Sequence, residues 1–146
     1  MSYTNLLTHI VFSTKQRRPF LKNRELRSAA HAYLGGIVRS LKAKALVVGG
    51  VEDHVHMLVK LPASLAVADA MRVIKTNSSS WVRHRLPEFG WQTKYAAFSV
   101  SPSALTKVVA YIERQEAHHR KRSFQEELVE LLEKNGVEYD ERYLWV

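Results

Sequence analysis

Apolar and polar positions along this chain change their repeat several times, and each change marks an element. Leu6 to Ser13 is a short run of β-branched and apolar residues that stops at Lys15-Gln16-Arg17-Arg18-Pro19, which predicts a strand followed by an exposed basic loop. Asn23 stands where a helix cap is needed, and Leu26, Ala29, Ala30, Tyr33, Ile37 and Leu41 then recur on one helical face, so a helix is expected to about Leu41. Ala45 to Glu52 and His54 to Leu61 read as two strands. Their closeness predicts a hairpin turning near Gly49 to Asp53, although the two glycines fit a bulge equally well.

Ser64 is in place to cap a second helix that carries Leu65, Val67, Ala68, Met71, Ile74, Trp81 and Val82 toward the core and ends before Pro87. Thr76-Asn77-Ser78-Ser79-Ser80 has poor helix propensity and predicts a bend there, or else a close approach to a phosphate backbone. Tyr95 to Val100 supplies a fourth strand. The order β-α-β-β-α-β is that of an α+β fold, a ferredoxin-like antiparallel sheet with two helices on one face. Beyond it, Ser101 and Pro102 open a third helix through about His119, and a last helix covers about Ser123 to Asn135, closed by Gly136. The tail Tyr139 to Val146 holds Tyr143, Leu144 and Trp145, apolar enough that it is expected to dock on the domain or on a second subunit.

At 146 residues the chain fits one domain, 1–146, with no internal repeat or low-complexity tract. Lysine and arginine number 22 against 14 acidic residues, a net charge of +8, which favours a polyanionic partner, nucleic acid first. There is no cysteine, so disulfides, thiolate metal sites and cysteine nucleophiles are excluded. No signal-peptide pattern and no bilayer-length apolar stretch is present, so a soluble, cytoplasmic protein with no membrane role is expected.

The chemistry concentrates in two places. His54 and His56, one residue apart on a strand, point to the same face and can converge on one metal ion. Tyr111 and Gln115 stand four apart on the third helix, so a phenol and a carboxamide reach the same small volume. A phenol is a poor nucleophile at its free pKa of about 10, but a nearby divalent cation favours the phenolate and polarises a phosphodiester. Gln115 can add a neutral oxygen ligand to the imidazoles, leaving positions open for phosphate oxygens and water. Alone, the histidine pair also fits a structural pair and Tyr111 fits core packing; together, in a basic chain without cysteine, they favour a metal-assisted phosphoryl-transfer site.

These residues carry a family resemblance. His54-Val55-His56 is similar to the His-hydrophobic-His (HUH) motif, and Tyr111-Ile112-Glu113-Arg114-Gln115 to the Tyr-x-x-x-Gln helix, of the single-tyrosine HUH transposases of small insertion sequences, the IS200-like transposases. The resemblance covers nearly the whole chain: Thr8 to Lys15 looks like that family's first strand, Lys75 to Trp81 like its second helix, and Gln115 to Arg120 like its helix end. It implies a DNA strand transferase that cuts single-stranded DNA bearing hairpins at element ends and rejoins it. The resemblance further implies that Tyr111 forms a 5′-phosphotyrosine link while His54, His56 and Gln115 hold Mg²⁺ or Mn²⁺. It also implies a homodimer whose sites combine the histidine pair of one subunit with the tyrosine helix of the other.

Other residues divide between two readings. Asp53 fits a turn residue better than an orienting partner of a histidine, and His9, in phase with Leu7 and Val11, reads as a core histidine. Lys15, Arg17 and Arg18, and separately His118, His119, Arg120, Lys121 and Arg122, are candidate DNA contacts or solvated basic surface. Trp81 reads as core, with Trp91 and Tyr95 open to base stacking. Two rivals stand beside the active transposase. One is a non-catalytic nucleic-acid-binding module of the same strand order, and the other a domesticated relative that recognises hairpins without mobilising an element. Plasmid HUH nucleases share the metal chemistry but fit this short, single-tyrosine chain less well.

Overall fold

A computed structural model describes residues 2–145; Met1 and Val146, the last residue of the expected docking tail, lie outside the described residues. Four strands, β1 (Leu6–Ser13), β2 (Lys44–Gly50), β3 (His54–Leu61) and β4 (Ala96–Ser99), pair antiparallel in the order β2-β3-β1-β4. With α1 (Arg24–Ser40) and α2 (Val67–Arg83) between them, this is the expected ferredoxin-like arrangement. The hairpin joining β2 to β3 carries its register shift between Ala45 and Val47, earlier than the glycines suggested.

Strand alternation gives the sheet two different faces. Ile10, Phe12, Val55, Met57 and Val59 point to one side and meet Leu26, Ala30, Leu34 and Ile37 of α1 and Ala70, Met71 and Ile74 of α2 in the larger core. On the other side Val11 and Phe98 pack against α5 (Phe124–Lys134) through Phe124, Leu128 and Leu132. This second face also carries His9, His54 and His56. Asn23 caps α1 as expected, its side chain accepting from the Leu26 amide at 2.9 Å. Ser123 caps α5 in a reciprocal capping box with Glu126, and Gly136 follows with φ +67°, a left-handed conformation suited to glycine.

Three local expectations fail for identifiable reasons. The cap of α2 is Ala66, with no side-chain bond, two residues past Ser64. No bend interrupts α2 at Thr76 to Ser80, because the hydroxyls satisfy themselves within the helix: Ser78 Oγ donates to the Ile74 carbonyl at 2.6 Å and accepts from Trp91 Nε1 at 2.9 Å. The third helix, opened by a 3₁₀ turn at Pro102–Ala104, does not run unbroken to His119. It divides at Arg114 (φ −99°, ψ 21°) into α3 (Leu105–Glu113) and α4 (Gln115–His118).

The tail docks on its own chain: α6 (Glu141–Leu144) leads to Trp145, which packs with the Val11–Phe98 cluster and lies 6.5 Å from the Phe124 ring. Among the described residues no helix is long and apolar enough to cross a membrane.

The line of α3 over the sheet depends on a missing side chain. A Cβ on Gly49 would lie 2.5 Å from the Ile112 carbonyl oxygen and 2.9 Å from Ile112 Cγ2, well inside contact distance. Gly49→Ala is therefore expected to push α3 off β2 and destabilise the protein by about 1–3 kcal/mol, seen as a lowered melting temperature and faster amide exchange in α3.

Candidate active site

The site is assembled by strand alternation and by the break at Arg114. β3 aims His54 and His56 at the second face of the sheet, and β1 brings His9 to the same face one register step away. Just past the break Gln115 points inward, where it is 1% exposed. α5 then crosses above and inserts Glu127, which has no solvent exposure.

Glu127 is the centre. Its Oε1 accepts from His56 Nε2 at 3.0 Å and from His119 Nε2 at 3.1 Å, and lies 3.3 Å from His54 Nε2. Its Oε2 accepts from the Tyr111 hydroxyl and from Gln115 Nε2, the latter at 3.1 Å. Gln115 Oε1 faces His54 Nε2 at 3.2 Å and His119 Nε2 at 3.1 Å. One carboxylate thus spans the phenol on one oxygen and three imidazoles on the other, all within one chain.

Two further residues hold the imidazoles in place. Asp53 is more than a turn residue, since its Oδ1 accepts from His54 Nδ1 at 2.7 Å. His9 is buried as expected, and its Nε2 lies 2.8 Å from His56 Nδ1. With His56 Nε2–H bonded to Glu127, His9 Nε2–H donates to His56 Nδ1; a metal on Nε2 would require this bond to reverse, with Nδ1–H donating to His9.

Burial and charge shape the electrostatics. Burial favours the neutral form of His54, but the hydrogen bonds and charge of Asp53 and Glu127 outweigh it and raise the pKa to about 9. His56, shut from water, is lowered to about 4 despite Glu127, and His9 to about 3 by burial and the neighbouring His56. Burial would push Glu127 upward, yet the three histidine hydrogen bonds hold it far below the usual carboxylate range. Tyr111 is pushed above the usual phenol value by burial and by the Glu127 carboxylate.

His54, His56, His119 and Glu127 offer ligand atoms that all lie within 4.8 Å of one another. The gaps of about 3 Å between neighbouring donors suit ligands standing about 2.0–2.2 Å from one ion, and the Gln115 carbonyl oxygen adds a fifth donor. Such an imidazole-rich set with one carboxylate suits a divalent transition metal better than Mg²⁺, which prefers oxygen ligands. His119 and Glu127 escaped the sequence reading. The signal for Glu127 was present: Phe124, Glu127, Leu128 and Leu131 fall at i, i+3, i+4 and i+7, placing a carboxylate on the apolar stripe of α5.

Tyr111 is half-buried and borders a cavity of ≈ 600 Å³ with Lys107 and Lys134 on its walls, an approach to the phenol from outside. The expected basic residues do not form one patch. Lys15 and Arg17 lie in a 3₁₀ turn after β1, Arg17 stacks over Trp145, Arg18 stacks on Phe20 and pairs with Glu88, and Arg122 pairs with Glu130. Lys121 is exposed, whereas Arg120 faces a separate groove. Trp81 stacks on Tyr33 with ring centres 4.8 Å apart and joins the larger core.

The shifted histidines predict a pH optimum of stability for the metal-free protein. His9, His56 and His31, the last lowered to about 4 by burial and Arg27, contribute stability that is complete above pH 6.5 and falls as pH drops toward 3–4. His54 contributes stability that is complete below 6.5 and is lost as pH rises through about 9. The melting temperature should therefore peak near pH 6.5 and fall on both sides. Mn²⁺ at a hundred times its dissociation constant should add about 2.7 kcal/mol, an increment absent from His56→Ala.

Comparison with known proteins gives the family. A comparison with curated protein sequences gives no significant match. Among solved structures, the chain is similar to a Deinococcus radiodurans protein described as a candidate transposase, at TM-score 0.64 and 20% identity over 78% of this chain and 93% of the other. It is also similar to a REP-associated tyrosine transposase bound to a REP hairpin, at TM-score 0.59 and 17% identity over 82% of this chain and 72% of the other. A family model described as "Transposase IS200 like" matches residues 2–115, most of the chain and the stretch from β1 to Gln115, so the protein belongs to the IS200-like transposase family.

Proposed function

We propose that this transposase cuts and rejoins single-stranded DNA at hairpin-bearing element ends, in the cytoplasm, through a 5′-phosphotyrosine intermediate. Tyr111 is the nucleophile, and His54, His56 and Gln115, joined by His119 and Glu127, hold Mn²⁺ or Mg²⁺. The observation that carries the reading is the shared carboxylate: Glu127 touches the Tyr111 hydroxyl with one oxygen and the imidazole cluster with the other.

The chemistry follows from that placement. A phenol whose pKa is pushed up by burial and by Glu127 does not ionise by itself near neutrality, so its proton must leave as it attacks. Glu127 Oε2 is already the acceptor of that hydrogen bond, so it orients the phenol and relays the proton to water rather than keeping it. The Tyr111 oxygen then bonds to the phosphorus, the bond to the 3′-oxygen breaks, and the 3′-oxygen is protonated from solvent. A bound divalent ion would polarise the phosphate and offset its growing charge. The phosphotyrosine bond retains the energy of the broken linkage, so a 3′-hydroxyl can reverse the step and rejoin strands without a nucleotide cofactor.

Two features bear on the alternatives. A base-stacking module needs an open sheet face, but here α1 and α2 cover one face and α3 and α5 the other. The Tyr111 hydroxyl and the imidazole cluster meet on Glu127 within one chain, which supports a tyrosine acting in cis, with a homodimer bringing two DNA ends together. The REP-associated relative, bound to a REP hairpin, makes hairpin DNA the substrate to try first.

Incubating the protein with Mn²⁺ and single strands of the DNA flanking its gene is expected to give a protein–DNA adduct that survives denaturation. The adduct should map to Tyr111 and be absent from Tyr111→Phe. Glu127→Gln should slow its formation by roughly 10²–10⁴-fold. Hairpin binding with no adduct would instead support the domesticated, non-cutting relative.

A further inference from the structure

The catalytic reading leaves a polar stripe on α1 without a task. Arg24, Arg27, Ser28 and His31 fall at i, i+3, i+4 and i+7, so they share one helical face, and that face stays out of the core. It looks past Gly49 and Gly50, at the end of the edge strand β2, toward Arg114 and Arg120 on the far side. Between the two walls runs a groove of ≈ 700 Å³, which continues beyond Glu116 into a cavity of ≈ 290 Å³. Gln115 lines the first part and His119 the second. The groove therefore ends on two side chains that touch Glu127.

Its two walls are prepared differently. Arg27 is held: its side chain is 11% exposed, it donates to the Leu21 carbonyl at 2.9 Å, and it pairs with Glu116 at 2.9 Å. Arg24 reaches the same carboxylate at 3.4 Å. Glu116 is thereby occupied, and Arg114 and Arg120, both exposed, make no ion pair among the described residues. Lys22 adds a fifth cation, against Glu52, Glu113 and Glu116, so the groove as a whole is positive. Beneath the arginines, His31 Nε2 is shut from solvent and has no hydrogen-bond partner among the described residues. A volume of this size accepts a nucleotide-sized group, and free guanidinium forks are the donors that match phosphate oxygens.

We propose that this groove holds the DNA strand next to the scissile linkage, with Arg114 and Arg120 gripping its phosphates and the braced Arg24–Arg27 pair forming the fixed wall. The inference rests on the reading of the site as a DNA-cutting centre. Positive charge alone would accept any polyanion. The run into Gln115 and His119 is what selects a strand already engaged at the site, and contacts of this kind fix the strand's position without reading its sequence.

Arg114→Ala/Arg120→Ala tests it, with binding of a labelled single strand of the flanking DNA measured across a salt series in wild type and variant. Two lost phosphate contacts should weaken binding by about tenfold or more and reduce the slope of log K against log salt by about 1.4. Arg39→Ala/Arg72→Ala, which removes equal charge elsewhere, should leave the slope unchanged, and Arg114→Lys/Arg120→Lys should restore most of it. Strands with one methylphosphonate at successive linkages locate the contact. Wild type should lose affinity at one or two neighbouring linkages, and the alanine pair should be indifferent to the same substitutions. An unchanged slope in the alanine pair, or the same sensitive linkages in both proteins, would overturn the proposal. Binding, slope and linkage scan need no cleavage, so failure of Tyr111 to form an adduct counts against the catalytic reading alone.

Discussion

A carboxylate with no access to water has to be surrounded by donors, and the arrangement of this protein's second sheet face follows from that constraint at Glu127. Removing the partners of a buried charge costs about 3–5 kcal/mol, so the three imidazoles, the amide of Gln115 and the phenol are held as firmly by the carboxylate as it is by them. The partners come from β3, from both halves of the broken helix and from the turn leading into α5. α5 is fastened over the sheet twice, by this charge and by Phe124, Leu128 and Leu132 against Val11 and Phe98.

The two sheet faces divide the work. Ile10 and Phe12 on β1, and Val55 and Met57 on β3, bury entirely apolar surface against two long helices, and that layer supplies stability. One residue out of phase on the same strands, His9, His54 and His56 meet polar partners on the face where the chemistry is proposed. The pleat keeps the two environments apart by the thickness of a backbone.

Much of this was legible from local pattern. Strand alternation and helical spacing located the four strands and α1, and the family resemblance drew attention to His54, His56, Tyr111 and Gln115. What escaped depended on contacts between segments distant in sequence. Asp53 looked like an ordinary turn aspartate until the strand beginning at His54 brought the imidazole onto it. His119 looked like the basic end of a helix, and Glu127 like one acid among several on α5. The bend expected in α2 came from summing propensities, which do not count the hydroxyl-to-carbonyl bond of Ser78 or the indole that caps it.

The break at Arg114 has a mechanical consequence. It puts Tyr111 on one rigid segment and Gln115 on the next, joined by a single residue outside helical geometry. The two side chains therefore need not share one orientation, although they stand four residues apart. Had the helix been continuous, the two side chains, one turn apart on a common rod, would have been obliged to travel together. With the rod interrupted between them, a change confined to the Arg114 torsions would redirect α3 and leave the contacts of Gln115 with His54 and His119 in place.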